Sequence, residues 1–189
     1  MDIIEDGKGS GKKAEVDSNN RLRVNSTQHK EVHYASRYEG GAYDFSTGAY
    51  VTISSTDTET GLLYLKNTST TQDLIITSIR TCAEAAHKVK LYKNPTGGTL
   101  ISAADAGTST NVNFKSANEA SALIYKGAEG RTLTGGSVMT QHIMVAGHSN
   151  LEFNDALILG PGNSLAITIE LGVAGDACGR IVGYYKDVL

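Results

Sequence analysis

Residues 157–171, L-I-L-G-P-G-N-S-L-A-I-T-I-E-L, constrain the fold more than any other stretch. A short apolar run stops at Gly160-Pro161-Gly162-Asn163, where Pro presets φ and Gly permits positive φ, the chemistry of a tight turn. Beyond it Leu165, Ile167, Ile169 and Leu171 alternate with Ala166, Thr168 and Glu170. That period of two predicts a half-buried strand, with one face in a core and one in water. The unit reads as hairpin-like.

The same grammar recurs along the chain. Alternating or continuous apolar runs predict strands at 49–54, 62–67, 74–82, 89–93, 111–114, 123–125, 137–145, 149–159 and 181–186. The run at 74–82 is continuous enough for burial on both faces. Clusters rich in Gly, Ser, Thr and Asn separate them, as at 55–61, 68–72, 94–98 and 126–130. Residues 83–88 are a helix candidate too short to stand without packing. Nine or ten short strands broken every 8–15 residues, with no crossover helix, predict an all-β sandwich or jelly roll. No repeat of fixed length points to a propeller or solenoid.

The first 40 residues differ. G-K-G-S-G-K-K and D-S-N-N are polar and glycine-rich, and only Ile3, Ile4, Ala14, Val16, Leu22 and Val24 offer apolar surface. That is too little to offset roughly 1–2 kcal/mol of backbone entropy per ordered residue. The expected organisation is an extended arm at 1–40 and a β-sandwich body at 41–189. The arm's β-prone pieces suit strand addition to a neighbour's sheet. Ile3, Ile4, Val16, Leu22 and Val24, with Tyr38, Tyr43 and Tyr50 at the junction of arm and body, are the candidate interface residues.

Composition narrows the chemistry. A net charge of −3 argues against a general nucleic-acid binder. Lys8, Lys12, Lys13, Arg21 and Arg23 concentrate positive charge on the arm, where an acidic partner surface or simple solubility accounts for it. No apolar run approaches the roughly 20 residues of a membrane span, and M-D-I-I-E-D-G lacks the basic start of a signal peptide, so neither membrane nor export is expected. Cys82 and Cys178 lie 96 positions apart. A disulfide is geometrically possible, but the expectation is two separate buried thiols.

No catalytic, cofactor or metal motif emerges. For Gly11-Lys12, a P-loop would need Gly where Asp6 stands and Ser or Thr where Lys13 stands. The histidines at 29, 33, 87, 142 and 148 form no metal spacing. Gly147-His148-Ser149-Asn150-Leu151 lacks the closing Gly of a nucleophile elbow. Glu152, Asp155 and Asp176 read as solvated carboxylates rather than a glycosidase pair, since no Trp is present to stack a sugar. The sequons at Asn25 and Asn67 read as chance matches.

The text from Asp6 to Val24, D-G-K-G-S-G-K-K-A-E-V-D-S-N-N-R-L-R-V, resembles an N-terminal segment of virion structural proteins of tailed bacteriophages. Val112–Asn118, Tyr125-Lys126-Gly127 and residues 159–165 look like later blocks of such proteins. The resemblance implies a jelly roll that assembles as a homotrimer and belongs to the virion, after synthesis in the cytoplasm of a bacterial host. It implies binding to the major capsid protein or other virion proteins, no enzymatic activity and no cofactor. A capsid decoration or cement role leads. A tail, neck or baseplate adaptor or adhesin is the alternative, and a carbohydrate-binding or glycan-acting jelly-roll protein a third.

Overall fold

A computed structural model describes residues 31–54, 56–102 and 105–187, together with three short strands nearer the N-terminus. The chain forms two units, residues 1–30 and 31–189. In the first, β1 (Ile3–Glu5), β2 (Lys13–Val16) and β3 (Leu22–Arg23) make an antiparallel sheet in the order β1-β2-β3. Its register sets Ile4 opposite Ala14 and Val16 opposite Leu22, which places these four on one face. Ile3, Glu5, Lys13, Glu15 and Arg23 occupy the other face, with Glu5 opposite Lys13 and Glu15 opposite Arg23. Lys8, Lys12, Arg21 and Val24 lie outside the described residues.

The second unit begins at Glu31, ahead of the expected boundary at residue 40. A helical turn α1 (Glu31–Tyr34) runs into a π-helical turn, Ala35–Glu39, that stops at Gly40 in the left-handed region (φ 61°). Val32 and Ala35 pack with Ala42, Ile75 and Tyr184, so this helical segment is part of the body.

The body is a sandwich of two antiparallel sheets. Its strands are β4 (Ala42–Ser46), β5 (Val51–Ile53), β6 (Thr60–Asn67), β7 (Gln72–Ala83), β8 (His87–Lys93) and β9 (Thr108–Asn111). They continue with β10 (Ala122–Lys126), β11 (Ser137–Met144), β12 (Gly147–Leu159), β13 (Ser164–Leu171) and β14 (Gly175–Asp187). One sheet runs β10-β6-β13-β8-β11 and the other β12-β7-β14-β4-β9, with β5 added to β14. The pairs β4–β14, β6–β13, β7–β12 and β8–β11 are nested, the earlier strands pairing with the later ones in reverse order. Between the sheets lie Phe45, Leu63, Leu65, Leu74, Ile76, Ile79, Leu91, Ile167 and Ile181, all essentially without solvent access. A core of aliphatic residues follows from a composition with no Trp and three Phe.

Five expectations need correction. Residues 157–171 do not form a hairpin: β12 and β13 belong to different sheets, and the Gly160–Asn163 turn carries the chain across the core. Two alternating strands look the same in sequence whether they pair or stack. Nor is β13 half in water. It is the central strand of its sheet, and Ala166 and Thr168 on its outer face are 0% and 1% exposed. A second short helix, α2 (Thr99–Ser102), helps to cover that face, packing Leu100 with Tyr64 and Ala166.

Residues 83–88 are not helical. They arch between β7 and β8, which lie in opposite sheets, and the Glu84 N–H donates to the Asp176 carbonyl (3.0 Å). Strand continuation overrides their helix propensity. The strand expected at 111–114 ends at Asn111 instead. Asn111 Oδ1 accepts the Asn113 N–H (2.9 Å), and Asn113 Oδ1 accepts the Lys115 N–H (3.1 Å), two successive turns closed by side chains. Phe114 is left 93% exposed.

The two cysteines are also joined. β7 and β14 pair with Cys82 directly opposite Cys178, and the residues form a disulfide across a Cα–Cα distance of 5.1 Å. Expecting separate thiols failed because only the pairing of two strands remote in sequence brings these positions together.

Candidate assembly surface

The two flanks of the sandwich differ. On one, the segment before β9 is tied to β10: Gly107 N–H donates to Ile124 O (3.1 Å) and Lys126 N–H to Asp105 O (3.0 Å). On the other, β11 and β12 are joined by only Val145 and Ala146, so the outermost strands of the two sheets lie on the same side. Among the described residues neither has a further strand beyond it.

Both edges are irregular. β11 slips register against β8 between Val138 and Thr140, bulging at Met139. β12 slips against β7 between Glu152 and Leu157, and Asp155 within that interruption has φ 64°. Bulges of this kind blunt an edge against indiscriminate strand pairing. The edges are nevertheless apolar. Val138, Ile143, Val145 and Ile158 are 51%, 78%, 83% and 54% exposed, and Met139 is exposed as well. Between Met139 on one edge and Leu157 and Leu159 on the other lies a groove of about 250 Å³, with Lys93, Asn94 and Asn163 among its polar lining. Exposed apolar side chains spread along two adjacent edges form a surface suited to protein contact.

Beside it, the outer face of the five-stranded sheet carries fixed charge. The Glu59 carboxylate accepts hydrogen bonds from Lys90 Nζ, from Tyr92 Oη (2.6 Å) and from Thr168 Oγ1 (2.8 Å). Burial by itself would raise its pKa, but these donors outweigh burial and hold the carboxyl below its ordinary value. Tyr92 is pushed up to about 12, by burial first and then by its bond to Glu59. Lys88, opposite Ile143 in the register, pairs with Glu170 at 2.5 Å. Hydrogen bonding to Glu170 raises its pKa.

The residues singled out from sequence have varied settings. Ile4, Val16 and Leu22 share the apolar face of the small N-terminal sheet and Ile3 lies on its other face. Val24 is outside the described residues; Tyr38 lies in the π-helical turn, its side chain likewise outside the description. Tyr43 faces the core at 3% exposure, edge-on to Tyr185 (centroids 5.7 Å), so it is not an exposed anchor of the isolated body. Tyr50 is 68% exposed. Sequence reasoning passed over the β11–β12 flank, although a signal was present. Apolar residues at 138, 139, 143, 144 and 145 fall at adjacent positions, which a single buried strand face cannot accommodate.

Among the described residues, no group of three or more His, Cys, Asp or Glu is arranged to hold a metal ion. No helix among them is long and apolar enough to cross a membrane. Asp176 accepts a hydrogen bond from Thr52 (2.7 Å), and Glu152 one from Asn150 (2.5 Å). Asn67 is wholly buried, which removes it as a glycosylation acceptor in the folded chain. No protein-family model matches this chain, and no curated protein or solved structure matches it either.

Proposed function

We propose that this chain is a non-enzymatic structural subunit of a tailed-phage virion, a jelly-roll protein that decorates and cements the capsid shell. The observation that carries the reading is the β11–β12 flank: the outermost described strands of the two sheets lie on one side, with Val138, Ile143, Val145 and Ile158 exposed along them and a groove lined by Met139 and Ile158 between them. A surface of that kind is costly to leave in water and suits a subunit that works in an assembly. The nested strand pairing supports the jelly-roll reading. The N-terminal sheet adds to it, because four apolar positions on one face of a nine-residue sheet are too few for independent stability. In this reading they are covered within a homotrimer or by the capsid protein.

Mass-spectrometric counting of this chain in purified virions, relative to the major capsid protein, tests the proposal. A simple lattice fraction supports a cement role. A few to a few dozen copies would move the subunit to a vertex, neck or tail, and absence from the particle would overturn the reading.

A further inference from the structure

The connection from β9 to β10 holds one aromatic side chain out in solvent on a fixed loop. Four side chains at 111–118 grip the helical segment that opens the body. Asn113 Nδ2 donates to Ser36 O (2.7 Å), Asn111 Nδ2 to Gly40 O (2.7 Å), Asn118 Nδ2 to Glu39 O (3.1 Å) and Ser116 Oγ to Gly40 O (3.4 Å). The successive turns closed by Asn111 and Asn113 set the main chain between these anchors. Phe114 stands out from them, 93% exposed, with Lys115 beside it. An aromatic ring on a fixed loop loses little freedom on docking and suits insertion into an apolar pocket.

The chain carries such a pocket on its opposite flank. The groove between β11 and β12 has a volume of about 250 Å³, enough for a benzyl group, and Met139, Leu157, Ile158 and Leu159 line it. One row of neighbouring residues connects the two places. Ile158 lies opposite Ile75, Ile75 opposite Tyr184, and Tyr184 opposite Ala42, whose carbonyl accepts the Val112 N–H (3.0 Å). This row crosses the six-stranded sheet from one edge to the other, so the groove and the Phe114 loop stand at the same level along the strands. Charge complements shape. β11 and β12 carry Glu152 and Asp155 and no Lys or Arg, whereas residues 111–118 carry Lys115 and no carboxylate. Lys93 reaches the groove from β8.

We infer that Phe114 of one copy of this chain inserts between β11 and β12 of the next copy. The contact is heterologous, because each copy offers a knob on one flank and a groove on the other. With both at one level, repeated contact about an axis roughly parallel to the strands allows a closed ring. The inference rests on the assembly reading of the β11–β12 flank and names a second copy as the occupant of its groove.

Photo-crosslinking of the full chain tests it. Phe114→p-benzoylphenylalanine, irradiated at micromolar concentration, should give a product of twice the chain mass, cross-linked to Met139 or to residues 156–159. Adding Met139→Glu to that chain should abolish the product. Mixing this double variant with the Phe114→Ala chain, whose groove is intact, should restore it, which a two-fold symmetric contact would not require. Phe114→Ala, at an exposed position, should weaken self-association about tenfold in sedimentation equilibrium with an unchanged circular dichroism spectrum. No cross-linked product, a cross-link mapping elsewhere, no restoration on mixing, or unchanged association of Phe114→Ala overturns the inference. A chain that is monomeric yet occupies virions at a lattice fraction overturns this contact and leaves the assembly reading standing. The expected cross-link in a chain absent from virions supports the contact and overturns the virion reading.

Discussion

The side-chain amide of Asn67, at the end of β6, donates to the carbonyl of Leu159, at the end of β12, across 2.8 Å and 92 positions of sequence. The same nitrogen donates to Gln72 O (2.8 Å), and Asn67 Oδ1 accepts the Ser69 N–H (3.0 Å). The Asn67 main chain exchanges bonds with Gly162 and Asn163 in the turn that crosses the core. One buried side chain therefore ties an inner strand of one sheet to an edge strand of the other.

Asn67→Ala leaves the Leu159 and Gln72 carbonyls without that donor in a dry setting. The expected loss is about 2–4 kcal/mol, the penalty for buried groups left unsatisfied. Urea denaturation followed by circular dichroism measures it, and a midpoint within error of wild type would show that water or a neighbour replaces the amide.

The Cys82–Cys178 bridge closes a loop of 96 residues. On the chain-entropy model a loop of that size is worth about 4–5 kcal/mol through its effect on the unfolded state. Thiol titration should find no reactive cysteine in the denatured, unreduced chain and two after reduction. The Cys82→Ser, Cys178→Ser double variant should fold with a lower denaturation midpoint. Two thiols before reduction would mean that the cysteines are not bridged.

Glu59 gives a pH dependence whose direction is fixed. Its folded pKa lies below the ordinary value, so its carboxylate contributes stability above the unfolded carboxylate range. That contribution is lost as pH falls through the lower folded value. Glu59→Gln should flatten the acid limb of a plot of denaturation midpoint against pH, between about pH 2 and 6. On the alkaline side Tyr92, raised to about 12, favours the folded state below its unfolded pKa, and this contribution fades as pH climbs toward 12.

Gly127 is held by close approach. A Cβ built there would lie 1.8 Å from the Gly61 carbonyl oxygen, and the Gly127 N–H donates to Leu62 O (2.8 Å). Gly127→Ala must therefore push β6 away from the loop after β10, at about 3 kcal/mol. Differential scanning calorimetry checks this. An unchanged midpoint would mean that the loop moves freely.

Ile143 is exposed on the β11 edge. Ile143→Lys should change stability by less than about 0.5 kcal/mol, as is usual for surface positions. If the flank joins copies of the chain, the same substitution lowers the sedimentation-equilibrium mass toward that of the monomer. Unaltered association would remove this flank from the interface.

The strands were legible because burial of one face writes a period of two into the chain. Residues 62–67, 89–93, 123–125 and 165–171 each fall within a strand of the structure. Strand partners were not legible. Nothing in the alternation of Leu165, Ile167 and Ile169 says whether residues 157–159 pair beside them or stack across the core. The buried outer face of β13 was missed for a related reason: Ala166 and Thr168 are unremarkable until Leu100 and Tyr64 pack over that face.

By itself the sequence determined an all-β chain of short strands, an aliphatic core and a distinct N-terminal segment, because local alternation, turn chemistry and composition are properties of neighbouring residues. The tertiary structure alone decided that Cys82 meets Cys178, that Asn67 reaches Leu159, that Tyr43 turns inward to Tyr185, and that β11 and β12 share an open flank. Each depends on which strands lie side by side, and that choice is made by packing the whole core at once.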